Sequence, residues 1–128
     1  MLMPSLKLVA WETTGACNLA CTYCRASASL NPSPDELTLD EAKILIDEVS
    51  EFGAALIITG GEPLLRPDMP KILEYANGKL TILFSTNGTL INSSVAKMLR
   101  KANVKRVSIS LDGATQATHE RFRGEGTF

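Results

Sequence analysis

At 128 residues the chain has room for one domain, and 45% hydrophobic with 21% charged residues is an ordinary globular composition. Lys and Arg number 13 against 14 Asp and Glu, a net charge of −1, which argues against a nucleic-acid partner. No apolar run approaches the ~18–20 residues of a membrane-spanning helix, so no membrane partner is expected either.

Lys7 to Thr14 (K-L-V-A-W-E-T-T) alternates enough to predict a first strand. It leads into Cys17-Asn18-Leu19-Ala20-Cys21-Thr22-Tyr23-Cys24, which holds all three cysteines. Two prolines mark Leu30 to Glu36 as a loop. Thr38 and Glu41 then form a capping box, and Ala42, Leu45, Ile46, Val49 and Phe52 recur at helical spacing up to Gly53, a C-cap residue. Ala54 to Thr59 is a continuous apolar run, the pattern of a strand buried in a parallel sheet, and it ends in Gly60-Gly61-Glu62-Pro63. A second helix is expected from Asp68 as N-cap to about Ala76, stopped by Asn77-Gly78. Leu80 to Ser85 reads as a third strand, followed by Thr86-Asn87-Gly88. The third helix, about Ser93 to Ala102, carries Lys97, Arg100 and Lys101 near its C-terminal end, where they suit the macrodipole. Arg106 to Leu111 is the fourth strand, followed by Asp112-Gly113.

This alternation means parallel βαβ units with right-handed crossovers, the helices lying on one side of a curving sheet. The fold class is therefore α/β, with about four parallel strands and three helices. The segment Arg121 to Phe128 shows no closing helix, so residues 1–128 are expected to form one core domain that is incomplete at its C-terminus.

Each polar motif lies just past the C-terminal end of a strand, where βα folds gather their sites. Three thiolates spaced C-x3-C-x2-C can converge on one iron–sulfur cluster. A 4Fe-4S cluster held only by protein takes four, so three leave one iron open to a small molecule. Zinc would need a fourth ligand, and the single histidine, His119, is far along the chain. An odd cysteine count argues against a disulfide framework, and the cysteine pattern points to a reducing, cytoplasmic compartment.

The cysteine spacing, with the aromatic Tyr23 just before the last cysteine, resembles the signature of the radical S-adenosylmethionine (SAM) enzymes. That resemblance implies a partial (β/α) barrel, of whose usual six units this chain supplies four strands. It also implies a 4Fe-4S cluster on Cys17, Cys21 and Cys24, with SAM chelating the open iron. An electron from the cluster then yields a 5′-deoxyadenosyl radical that takes hydrogen from a small-molecule or peptide substrate. An electron donor such as ferredoxin or flavodoxin is implied as partner.

The other motifs resemble the family's SAM-binding segments. Gly60, Gly61, Glu62 and Pro63 match the segment at the SAM amino group, where Glu62 would accept hydrogen bonds from the ammonium. Thr86 and Asn87 match positions at the methionine moiety, and Ser110 and Asp112 positions beside the ribose and carboxylate. Arg123, or alternatively Arg121, matches an arginine that pairs with the SAM carboxylate. Tyr23 would cover the cluster near the adenine, whereas Trp11 reads as core or barrel lining rather than a substrate contact. The triplets Asn87-Gly88-Thr89 and Asn92-Ser93-Ser94 look like glycosylation acceptors but lack a secretory context.

The run W-E-T-T-x-x-C-N-L-x-C-x-x-C-R-A-x-A, with S-I-S-L-D-G-A-T and F-R-G, is similar to one branch of the family. It contains haem and haem d1 biosynthesis enzymes, the pyrroloquinoline quinone enzyme and peptide maturases, so the implied substrate is a tetrapyrrole or a peptide. Those haem enzymes often carry histidine where this chain has Tyr23. Two other classes stay open: a truncated fragment that binds cluster and SAM without turnover, and a zinc-binding or electron-transfer module.

Overall fold

The computed structural model describes residues 5–24 and 27–128, so Arg25 and Ala26 of the cysteine-loop run lie outside the described residues. Four parallel strands, β1 (Leu8–Glu12), β2 (Ala55–Thr59), β3 (Ile82–Thr86) and β4 (Arg106–Ile109), stand in the order β1-β2-β3-β4. The helices between them are α1 (Leu39–Glu51), α2 (Met69–Ala76) and α3 (Ser93–Lys101), as the alternation predicts. Alternate strand residues Trp11, Leu56, Ile58, Ile82 and Phe84 pack with Ile46, Val49, Ile72, Leu73 and Leu99 of the helices in one core. The opposite face of the sheet therefore carries Glu12, Thr59 and Ser85 at the end nearest the cysteine loop.

Local chemistry sets the helix starts. Thr38 accepts from the Glu41 N–H while the Glu41 carboxylate accepts from the Thr38 N–H at 2.8 Å, the capping box read from the sequence. Gly53 follows α1 at φ +63, a left-handed position that glycine adopts without strain. Asp68 departs from expectation: it stands at the N-cap of α2 but makes no side-chain cap, because its carboxylate is bonded to Arg66. Asn92 caps α3 by accepting from the N–H groups of Ser94 and Val95, a structural use of a residue that the sequence flags only as a triplet.

A fourth helix, α4 (Gln116–Arg123), corrects the expected count of three and the expected absence of a closing helix. Thr115 caps it with Thr118 at the position where a capping box normally has Glu or Gln, and its buried residue is His119. Neither the usual Glu or Gln of a capping box nor an apolar stripe announces it.

Arg66 is the main polar tie between these elements. Its guanidinium is buried and donates to the Thr13 carbonyl at 2.8 Å, the Leu37 carbonyl at 2.6 Å and Asp68 at 2.6 Å. It also lies 5.6 Å from the Trp11 ring centroid, within cation–π range. The arginine thus joins the end of β1, the entry to α1 and the start of α2. Arg66 donating to Asp68 holds that carboxyl below its usual range, although partial burial pushes the other way. With the folded pKa below the unfolded value of about 3.9, this stabilisation is complete above about pH 4 and is lost as pH falls through the folded pKa. Arg66→Ala should cost about 2–4 kcal/mol at pH 7, because it strands two carbonyls and a carboxylate. Urea melts at pH 7 and pH 3 check both points: the variant should be weaker at pH 7 and should lack this acid-sensitive component.

Candidate active site: a cysteine loop at the strand ends

The loop bearing Cys17, Cys21 and Cys24 is pinned at its base before it reaches the cysteines. Ala16 and Ser29 form an isolated bridge, with Cys17 N–H donating to the Ser29 carbonyl at 2.7 Å and Ser29 N–H to the Gly15 carbonyl at 3.2 Å. One oxygen of Glu36 accepts from the Thr14 hydroxyl (2.9 Å) and from the Gly15 and Ser33 N–H groups (both 2.8 Å). Burial raises the Glu36 pKa, but those donors outweigh it and hold the carboxyl below its ordinary value. No sequence motif marks Glu36, since its partners lie in two separate loops.

The turn after β2 presses against the same stretch. Gly61 N–H donates to the Thr14 carbonyl at 2.8 Å and Glu62 N–H to the Ala16 carbonyl at 2.7 Å. A Cβ at Gly60 (φ +144) would stand 2.6 Å from the Thr14 oxygen, and one at Gly61 would stand 2.2 Å from the Ala16 oxygen. The two glycines are thus required by contact with the chain's own backbone.

The three thiols are free and face one cavity of about 270 Å³. Gly60, Gly61, Thr86 and Asn87 line it, as do Tyr23, Ser110 and Arg123. Glu12, Thr59 and Ser85 also line it and were missed, because a strand's inward positions show only once its register is known. Arg123, rather than Arg121, is the arginine at the cavity. Trp11 is core.

Glu62 occupies a different place from the ligand-facing one expected. Its carboxylate is fully buried behind the cavity wall, and Pro63 beside it opens a short 3-10 turn, Pro63–Leu65. One Glu62 oxygen accepts from the Thr86 hydroxyl (2.8 Å) and Leu64 N–H (3.1 Å), the other from Asn87 N–H (2.8 Å). Asn87 in turn donates to Asn18 at 2.9 Å and approaches the Cys17 sulfur at 3.9 Å. Glu62 therefore fixes the loop after β3 against the cysteine loop through neutral donors.

Asp112 stands behind the cavity's far wall, and its carboxylate accepts from Tyr23 and from Arg123. Arg123 also donates to the Tyr23 oxygen at 3.0 Å. The hydrogen bond from Tyr23, joined by Arg123, holds the Asp112 carboxyl below its usual range. Helix α4 grips the loop a second time: Thr22 N–H donates to the Phe122 carbonyl at 3.0 Å, and the Tyr23 and Phe122 rings meet edge-on at 5.9 Å.

Two of the three thiols have backbone donors of their own. Leu19 N–H donates to the Cys17 sulfur and Ala28 N–H to the Cys24 sulfur, each at 3.4 Å, the kind of contact that supports ligating thiolates. Among the described residues, no three Cys, His, Asp or Glu side chains converge on a single-ion position. His119 does not join the thiols: it is buried, and its Nδ1 accepts from the Asp112 N–H at 3.2 Å. Burial pushes the Cys21 thiol up, reinforced by the facing thiols and Asp112 and opposed by Arg123.

The model of the radical SAM superfamily matches residues 11–128. The chain is 48% identical over 123 residues to the AdoMet-dependent heme synthase of Oleidesulfovibrio alaskensis, covering 94% of this chain and 32% of that protein. It is 41% identical over 120 residues to the mycofactocin maturase MftC of Mycobacterium ulcerans, covering 92% of this chain and 32% of the relative. Among solved structures, native anSMEcpe with bound AdoMet superposes with a TM-score of 0.75 at 29% identity, over 96% of this chain and 37% of that one. The chain spans about a third of the length of the curated relatives it matches. No helix among the described residues is long and apolar enough to cross a membrane.

Two substitutions separate the wall from its support. Gly61→Ala forces the Ala16 backbone away and should cost at least about 2 kcal/mol, with the three thiols labelled faster by a thiol reagent. Glu62→Ala strands a hydroxyl and two N–H groups and should cost about 2–5 kcal/mol. Urea denaturation with timed thiol labelling checks both; a Gly61→Ala chain as stable and as slowly labelled as wild type would refute the close-contact role.

Proposed function

The chain belongs to the radical SAM superfamily, and from that premise we propose that it holds a 4Fe-4S cluster on Cys17, Cys21 and Cys24 and binds SAM beside it. The observation that carries this reading is the single cavity onto which three free thiols, a glycine turn and Arg123 open together. A 4Fe-4S cluster held by Cys17, Cys21 and Cys24 would supply the electron for reductive cleavage of SAM, and with it radical hydrogen-abstraction chemistry. The protein's part is to place and shield. Backbone N–H groups at the Cys17 and Cys24 sulfurs support thiolate character. The Gly60-Gly61 turn exposes main-chain atoms at the wall, while Thr86, Asn87 and Ser110 offer hydroxyl and amide groups to the methionine and ribose. Arg123 offers its remaining donors to the carboxylate, and Tyr23 covers the cavity beside the adenine.

Relatives named as a heme synthase and a mycofactocin maturase support a tetrapyrrole or a peptide as the substrate class. A low-potential carrier such as ferredoxin or flavodoxin is the proposed electron donor, and a reducing cytoplasm the proposed setting. In the same proposal residues 1–128 are the part of the catalytic domain that carries cluster and SAM. A chain that binds both without turnover is the second reading.

Anaerobic reconstitution with iron and sulfide should give about four irons per chain, falling toward zero when Cys17, Cys21 and Cys24 are replaced by alanine. SAM should then change the electron paramagnetic resonance spectrum of the reduced protein. Stoichiometric zinc without iron would sink the proposal. Formation of 5′-deoxyadenosine under reduction separates turnover from binding alone.

A further inference from the structure

Helix α4 buries one residue, and that residue is the imidazole His119, only 2% exposed. Packing accounts for one side of it, where the His119 and Phe128 rings meet edge-on at 5.6 Å. The other side makes a directed polar contact. Beyond β4 the Ser110 N–H still donates to the Thr86 carbonyl, at 3.2 Å. Two residues on, the Asp112 N–H turns to His119 Nδ1 instead, also at 3.2 Å. Accepting at Nδ1 fixes the ring as the tautomer protonated on Nε2. The helix can come this close because Gly113 has no side chain. A Cβ there would stand 2.1 Å from the Thr118 hydroxyl oxygen and 2.7 Å from the His119 nitrogen. The carboxylate of the same Asp112 accepts from Tyr23 and Arg123, both of which line the cysteine cavity.

We propose that His119 is a positioning residue for Arg123: it holds the Asp112 backbone, and so aims the carboxylate that orients the guanidinium. This rests on the SAM-binding reading above, in which Arg123 meets the SAM carboxylate. Asp112 sits in the connection between β4 and α4, where an untethered backbone would let its carboxylate swing away from Arg123. A guanidinium whose fork is already oriented gives up less freedom when a ligand arrives. Arg123 ends the same helix that carries His119, so imidazole, Asp112 and guanidinium close a ring of contacts. A residue that only filled the core would need volume and nothing else. His119 supplies in addition an acceptor at one ring position, and the Asp112 N–H uses it. Size and chemistry can therefore be separated by substitution. Asparagine puts its oxygen where the imidazole has Nδ1, glutamine puts it one carbon further out, and leucine offers volume with no acceptor.

The test measures equilibrium binding of SAM to the anaerobically reconstituted full chain, with urea midpoint and iron content as controls for folding and cluster loading. His119→Leu should weaken binding by about ten-fold, and His119→Gln should resemble it. His119→Asn should restore affinity to within about two-fold of wild type. In an Arg123→Ala chain, adding His119→Leu should cause no further loss, because both act through one contact. The same loss in both backgrounds, or no loss in either, overturns the assignment while SAM binding itself stands. Rescue by His119→Gln as complete as by His119→Asn overturns it too. Should His119→Leu fail to fold, His119→Asn and His119→Gln decide by that same comparison. A wild-type chain that loads iron but binds no SAM removes the SAM-binding reading, and this inference with it.

Discussion

A Cβ on Gly61 would stand 2.2 Å from the Ala16 carbonyl oxygen, and one on Gly60 would stand 2.6 Å from that of Thr14. The turn after β2 can therefore lie flat on the segment between β1 and Cys17, and two short N–H···O bonds hold it there. Parallel pairing alone would align the strands and leave their loops free to splay. This contact converts the alignment into a fixed base for the cysteine loop. The residue next in line, Glu62, then fastens the loop after β3 to the same base. Three successive strand ends are thus locked together by backbone geometry and one buried carboxylate.

Charge is distributed around the site in two layers. The inner supports, Glu36, Glu62 and Arg66, meet backbone donors and acceptors from segments distant in sequence. Each would be costly to bury alone and is acceptable because its hydrogen-bonding capacity is used. The outer layer comprises Glu12 on one side and the Tyr23, Asp112 and Arg123 group on the other. Helix α4 adds the last brace, since Phe122 touches the cysteine loop through both its carbonyl and its ring. A loop held from its base, from the β3 side and from α4 presents its thiols in a restricted geometry before any ligand arrives, which lowers the ordering cost of binding.

The parts of this arrangement that could be read from the sequence are those with local chemical grammar. The α1 capping box, the apolar run of β2 and the cysteine spacing each lie within a few consecutive residues, and the structure places their elements as expected. Legibility ended where the partner is remote. Asp68 has the right identity and position for an N-cap, yet Arg66 competes for its carboxylate and wins. Glu62 reads as a ligand-facing acid, and only the folded chain reveals the Thr86 hydroxyl and Asn87 amide that occupy it. Glu12 looks like an ordinary polar position of an alternating strand; its place on the cavity follows from sheet register. Helix α4 escaped because Thr118 stands at the N3 position where a capping box normally has Glu or Gln, and its buried residue is His119, which carries no apolar signal.

The Asp112–Arg123 pair bears on what the cavity prefers. A ligand carboxylate arriving at Arg123 meets a guanidinium that already gives one donor to Asp112 and one to Tyr23. Arginine has five N–H groups, so a second carboxylate can be taken without breaking the first pair. Asp112 neutralises the arginine's net charge while leaving its directional donors in place. Such a carboxylate would meet hydrogen-bond geometry more than net charge, because Asp112 already balances the guanidinium.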